Sequence, residues 1–178
     1  MELKSDQVFY VSAMEWIAPS PNKHVSYCKS NRCLCCQVLN PDALFTSFST
    51  GGKFMFNKTG YFSCKTRNVI YLISCKKCGI QYVGQTSQAL HCRLNGHRSS
   101  INTASKNTYL ATHFRENGHS VSDLSIQIID VISEYEDKDD LISKLQERED
   151  FFIKTMNTLY PLGLNDKLSG GAWFLRAQ

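Results

Sequence analysis

The stretch VIYLISCKKCGIQYVG, from Val69 to Gly84, constrains the fold of this chain more than any other. Two runs of β-branched and aromatic residues, Val69 to Ile73 and Ile80 to Val83, flank the knuckle Cys75-Lys76-Lys77-Cys78-Gly79. Such runs around a short, glycine-ended segment predict a β-hairpin, and a turn that presents two thiols to one point is a metal-binding element. Tyr71 and Tyr82 then lie on adjacent antiparallel strands. Whether they are core residues or serve chemistry depends on what the rest of the chain brings to them.

With 178 residues there is room for one ordinary domain, or one domain with a small satellite, and enough chain for a genuine core. The eight cysteines form two clusters, Cys28, Cys33, Cys35, Cys36 and Cys64, Cys75, Cys78, Cys92. The opening MELKSDQVFYVSAM lacks the basic flank and apolar run of a secretory signal. Metal binding in a reducing, intracellular compartment is therefore expected over a disulfide framework. No stretch approaches the ~20 apolar residues of a membrane helix, so no membrane partner is expected.

Charge is spread unevenly: residues 1–68 carry eight Lys/Arg against four Asp/Glu, residues 69–133 six against three, and residues 134–178 six against nine. A basic front and an acidic rear fit a polyanion surface beside a carboxylate-bearing element. An uneven solvated surface accounts for the same numbers.

Two sets of metal ligands emerge. Cys28, Cys33 and Cys36 give C-x4-C-x2-C, and Cys64 follows a Phe-rich segment with a Gly51-Gly52 turn. Three thiolates in one loop and a fourth from a later strand would close a tetrahedral structural zinc site. Cys35 competes as a ligand, and buried, redox-idle cysteines are the alternative. In the second set, Cys75 and Cys78 are followed by His113 and His119, an H-x5-H pair at the upper end of the ligand range, with Gly118 ending a helix from Tyr109 to Asn117. We read Cys75, Cys78, His113 and His119 as a Cys2His2 zinc site.

Beyond Gly84, QTSQALHCRLNGHRSSI reads as a helix with Thr86 or Ser87 as its cap. Leu90, Leu94 and Ile101 share one face, with Arg93 and His97 one turn apart on or beside it. Such a pair suits a phosphate and a water, the guanidinium as fixed charge and the imidazole as proton acceptor; two side chains snorkelling at a helix edge is the plainer alternative. Leu124 to Ile132 predicts a third strand. From about Lys138 to Met156 a helix carries the apolar stripe Leu141, Ile142, Leu145, Phe152, Ile153, Met156 with Glu149 in its middle, while Glu147 and Asp150 point elsewhere. A carboxylate there must pair, protonate or bind a metal, and Arg93 is an available ion-pair partner. In TLYPLGLNDKL, Pro161 and Gly163 stop any helix and place Asn165 in a loop. The ending SGGAWFLRAQ reads as a tail that docks through Trp173 and Phe174, with no chemistry attached.

Tyr71 in VIY, Tyr82-Val83-Gly84, Arg93, His97, Glu149 in EREDFFIK and Asn165 in PLGLN together resemble the ordered signature of the GIY-YIG nuclease domain, over about Arg67 to Leu168. The name motif is altered at Val69, where the family usually has glycine, and at Val83, in place of isoleucine. The Cys75/Cys78 pair, the H-x5-H and the upstream cysteines make the chain most similar to the endonuclease domain of Penelope-like retroelements. The resemblance implies an α+β fold, a small three-stranded antiparallel sheet flanked by helices, with a cysteine-rich, zinc-binding satellite at the N-terminal side.

It also implies a metal-dependent DNA endonuclease that nicks double-stranded target DNA for insertion, beside a reverse transcriptase domain in a parent element and in the nucleus. Glu149 would hold Mg²⁺ or Mn²⁺, Tyr71 would act as base or position the water, and Tyr82 would orient the phosphate or water. Arg93 would stabilise developing charge, His97 would share the proton transfer, Asn165 would orient its loop, and one or two zinc ions would be structural. An inactive nucleic-acid-binding module and a structure-specific repair nuclease are the competing expectations. The expected divisions are an extension or linker at 1–26, a cysteine-rich segment at 27–66, the nuclease domain at 67–168 and a tail at 169–178.

Overall fold

A run such as VIYLI, with no polar alternation, needs cover on both faces and a partner at each edge. The computed structural model describes residues 8–10, 23–103, 108–116 and 118–169. Its strands are β1 (Val8–Tyr10), β2 (Lys23–Ser26), β3 (Leu44–Thr46), β4 (Lys53–Met55), β5 (Gly60–Ser63), β6 (Val69–Cys75), β7 (Gln81–Thr86) and β8 (Leu124–Val131). The helices are α1 (Leu90–Thr103), α2 (Tyr109–Arg115) and α3 (Lys138–Met156), with a 3-10 turn over Val121–Asp123. β6 is the centre of an antiparallel sheet ordered β7-β6-β8, and all but one of its residues are buried. This is the expected three-stranded sheet with flanking helices. None of the helices among the described residues is long and apolar enough to cross a membrane.

The register puts Tyr71 opposite Gly84 and Ile73 opposite Tyr82, so the two tyrosines are diagonal neighbours. α3 runs over the predicted residues, capped by Asp137, whose carboxylate accepts from the N–H groups of Asp139 and Asp140. Its stripe is narrower than expected: Leu141, Leu145, Phe152, Ile153 and Met156 are buried, but Ile142 is exposed. Asp150, expected to point away, is buried, and its Oδ1 accepts from the N–H of Ser169. α2 ends at Arg115, short of the expected Asn117, which lies outside the described residues, as do Trp173 and Phe174.

α1 departs from expectation at its start. Thr86 still pairs with Val69 in the sheet, so the helix begins only at Leu90. Its first free N–H groups are met by backbone instead of a side-chain cap: Leu90 donates to the Thr66 carbonyl at 3.0 Å and His91 to that of Cys64 at 2.8 Å. The cysteine-rich segment thereby anchors the helix that carries Arg93 and His97.

That segment is joined to the sheet elsewhere as well. β3 and β4 form a hairpin around Gly51, with β1 parallel to β4, and β2 runs parallel to β5. Leu39 bridges Ile126 on the outer edge of β8. Two buried glutamines sew the parts together: Gln81 Nε2 donates to the Thr46 carbonyl, and Gln127 Nε2 to those of Asp42 and Leu44. One apolar cluster runs from Phe45, Phe54 and Phe56 into Ile70, Ile126 and Phe152, so the segment shares the core of the sheet.

Candidate active site

β6 sends Tyr71 inward, fully buried, with its hydroxyl against α1. Arg93 Nε donates to that oxygen at 3.0 Å, and His97 Nε2 lies 2.7 Å from it. A guanidinium only donates, so Tyr71 accepts from Arg93, and its hydroxyl shares a second hydrogen bond with His97 Nε2 whose direction is set by the imidazole tautomer. Burial, and then the neighbouring Tyr82, push the Tyr71 hydroxyl well above its ordinary value, while Arg93 opposes them. The tyrosine therefore holds its proton at neutral pH, with the imidazole of His97 within hydrogen-bond reach.

Tyr82, on β7, completes a cluster of rings, with centroids 6.4 Å from Tyr71 and 5.6 Å from His97. Burial raises its hydroxyl first, and the Glu149 carboxylate adds to this. Gly84 makes the arrangement possible. A Cβ there would meet Cζ and Oη of Tyr71 at 2.5 Å and Cε1 of Tyr82 at 2.7 Å. Only a residue without a side chain lets the Tyr71 ring cross the hairpin.

Glu149 comes from the buried face of α3 and is 6% exposed. Burial raises its carboxyl above the ordinary value, Asp150 adds to this, and Ser169 and Arg93 oppose it. The ion pair with Arg93 that the helix pattern allowed gives way to another arrangement: Arg93 bonds to Tyr71 and reaches Glu149 through its field. Ser169, assigned no chemistry from sequence, donates its hydroxyl to Glu149 Oε2 and its N–H to Asp150 Oδ1. No motif marks it; only the return of the chain over α3 does.

Asn165 is buried and its amide is committed. Oδ1 accepts from the Val83 N–H at 2.9 Å and from Thr158 Oγ1 at 2.8 Å, and Nδ2 donates to the Val83 carbonyl at 2.8 Å. It acts as a one-residue strand beside β7 and positions Tyr82 from behind. A cavity of about 140 Å³ opens beside Tyr82, Arg93, His97, Ser100 and Asp166. That holds several waters at ~30 Å³ each, or a phosphate group with its hydration.

The family model described as the GIY-YIG catalytic domain matches residues 67–161. The chain belongs to the GIY-YIG family. Membership makes it a DNA endonuclease. Among solved structures, a mutant of the catalytic domain of intron endonuclease I-TevI is similar, with 22% identity and a TM-score of 0.43, over 56% of this chain and 93% of that one. No curated protein matches significantly.

Two further groups stand in and beside the GIY-YIG domain. Cys75, Cys78, His113 and His119 converge with their ligand atoms within 4.8 Å of one another, as do Cys28, Cys33, Cys36 and Cys64. Zinc bonds of ~2.3 Å to sulfur and ~2.05 Å to nitrogen imply tetrahedral edges of about 3.8 Å for S–S, 3.5 Å for S–N and 3.3 Å for N–N. In the first group Cys75 Sγ lies 3.4 Å from His119 Nδ1, Cys78 Sγ 3.5 Å from His113 Nε2, and the two nitrogens 2.9 Å apart. In the second, Cys33 and Cys64 sulfurs are 3.7 Å apart and those of Cys28 and Cys36 3.5 Å. The sulfur–sulfur and sulfur–nitrogen separations match these edges, and the two histidine nitrogens lie closer together than their edge requires. Cys35 turns away into the core, where burial pushes its thiol up to about 12. Cys36, and not Cys35, belongs to the group of converging thiols.

Proposed function

We propose that this GIY-YIG domain hydrolyses a phosphodiester of double-stranded DNA with one divalent cation, Mg²⁺ or Mn²⁺, held by Glu149, and that the two quartets hold structural zinc. The observation that carries the reading is the hydroxyl of Tyr71, buried yet bonded to Arg93 and His97 at the edge of the same cleft that Tyr82 lines. Glu149 offers one carboxylate, largely buried and held through Oε2 by Ser169, and a single carboxylate suits a hard cation that keeps most of its hydration. When bound, such an ion polarises the phosphate and acidifies a water.

The chain's own groups do the rest. A water attacking phosphorus gives its proton to Tyr71 as Tyr71 passes its own to His97 Nε2, and the phosphorus–oxygen bond to the leaving alkoxide breaks. Arg93 offers its remaining N–H groups to the nonbridging oxygens, where charge grows. Tyr82 orients the phosphate or the water, and Asn165 fixes the strand that bears it.

The finer identity follows the resemblance to Penelope-like retroelements: nicking of target DNA for insertion, in the nucleus, with a reverse transcriptase domain in the parent element. The zinc quartet inside the nuclease domain and the cysteine quartet before it support that reading. On it, residues 1–26 are an extension, 27–66 a zinc segment, 67–168 the nuclease and 169–178 a tail.

Supercoiled plasmid with Mg²⁺ tests the activity. The parent should convert it to the nicked form and Glu149→Ala should not. Equal nicking by both would remove Glu149 from the metal role, and DNA binding without nicking by the parent would favour the binding module.

A further inference from the structure

Tyr109 and Tyr160 stack face to face on the surface, with ring centroids 3.9 Å apart and planes 6° from parallel. They remain 38% and 56% exposed, and Leu162, close behind Tyr160 in sequence, is 55% exposed. Buried aromatic pairs prefer offset or edge-to-face packing, so a parallel sandwich left in solvent gains little as core. Its geometry is that of two stacked bases, with both rings in part exposed to solvent.

The pair also stands at the cleft. Tyr109 opens α2, whose neighbouring Thr108, Leu110 and Ala111 line the cavity that holds Arg93 and His97. Tyr160 belongs to the turn that carries Asn165, donates its N–H to the Asn165 carbonyl, and is followed by the cavity residue Asp166. Both rings are thus tied by backbone to the walls of the site, on opposite sides of it in sequence.

We infer that the Tyr109–Tyr160 stack is a platform for one unpaired nucleobase of the DNA, next to the phosphate in the Arg93–His97 cleft. The inference rests on the nuclease reading and deepens it. A paired base has no free face inside the duplex, so the platform selects DNA in which a base beside the cut is bulged, flipped or single-stranded. Aromatic platforms of this kind are sequence-tolerant because every base has a π face.

The test uses the full, zinc-loaded chain without magnesium and two labelled hairpin duplexes. One is fully paired; the other has a single bulged 2-aminopurine. The parent should prefer the bulged duplex and quench the 2-aminopurine. Tyr160→Leu, which keeps bulk but has no ring face, should lose about five- to a hundredfold in affinity for the bulged duplex and leave the paired one unchanged. Tyr160→Trp should keep both preference and quenching, a rescue that a purely structural latch of tyrosines has no reason to give. Equal affinity of the parent for the two duplexes, or an undiminished preference in Tyr160→Leu, overturns the platform. Plasmid nicking by the parent separates the two readings: nicking without bulge preference sinks only the platform, and bulge binding through Tyr160 without nicking sinks only the nuclease.

Discussion

Replacing Gly84 with alanine isolates the geometry of the Tyr71 hydroxyl from its chemistry. The new methyl would lie 2.5 Å from Cζ and Oη of Tyr71 and 2.7 Å from Cε1 of Tyr82. Ordinary carbon contacts are ~3.5–4.0 Å, so the rings must retreat by roughly 1 Å. The surroundings resist, because Tyr71 is fully buried between Val69–Ile73 neighbours and packed cores do not deform smoothly. Overpacking of this size costs about 1–3 kcal/mol in stability, which a folded domain survives. The bonds to Arg93 and His97, at 3.0 and 2.7 Å, do not survive a shift of that size intact. A misplacement of ~1 Å costs on the order of a hundredfold in rate. Gly84→Ala should therefore nick plasmid about a hundredfold more slowly than the parent in single-turnover assays, while keeping a cooperative melt about 2–12 °C lower. A parental rate in a protein of normal stability would mean that the Tyr71 position is irrelevant to cleavage.

Three other outcomes are expected. Glu149→Gln should abolish nicking yet stabilise the magnesium-free protein above neutral pH. Burial holds the folded carboxyl above its unfolded value, so the proton-linked stability of the parent is complete at low pH and is lost as pH rises through the folded value. Each ~1 kcal/mol regained would appear as ~2–4 °C in melting temperature, and a variant no more stable than the parent at pH 8 would show that this burial cost is absent. Metal analysis should give about two zinc ions per chain on the count of two four-ligand groups. Cys36→Ser should leave about one and Cys35→Ser both, so loss of zinc from Cys35→Ser alone would reverse the ligand assignment. Asn165→Ala leaves the Val83 N–H and carbonyl without their partner, at ~1–3 kcal/mol for each buried group. Thermal melts should fall accordingly, and an unchanged melt would show that the brace is dispensable.

The local elements were legible because each is written in a single period. The run VIYLI read as one strand of a hairpin, the stripe around Glu149 gave the bounds of α3 though not the exposure of Ile142 or the burial of Asp150, and thiol and imidazole spacing picked out both groups of four ligands before any fold was in view. The order of Tyr71, Tyr82, Arg93, His97, Glu149 and Asn165 was enough to suggest the family, since the order of a motif survives in one dimension.

What the sequence by itself determined, then, is which side chains are chemically able to carry charge, a proton or a metal. Tertiary structure decided what each of them touches. Arg93 could have paired with Glu149 or gone to solvent, and it bonds to Tyr71 because β6 and α1 meet there. Asn165 read as the residue that orients its loop, and the turn after α3 lays its amide against Val83. Cys35 and Cys36 are adjacent in sequence and differ only in which way the loop turns them. Ser169 reaches Glu149, and Tyr109 meets Tyr160, across separations that no periodicity encodes. The physical reason is the same in each case: spacing sets the face a residue occupies on its own element, while its partner is supplied by a second element whose position depends on the packing of the whole core.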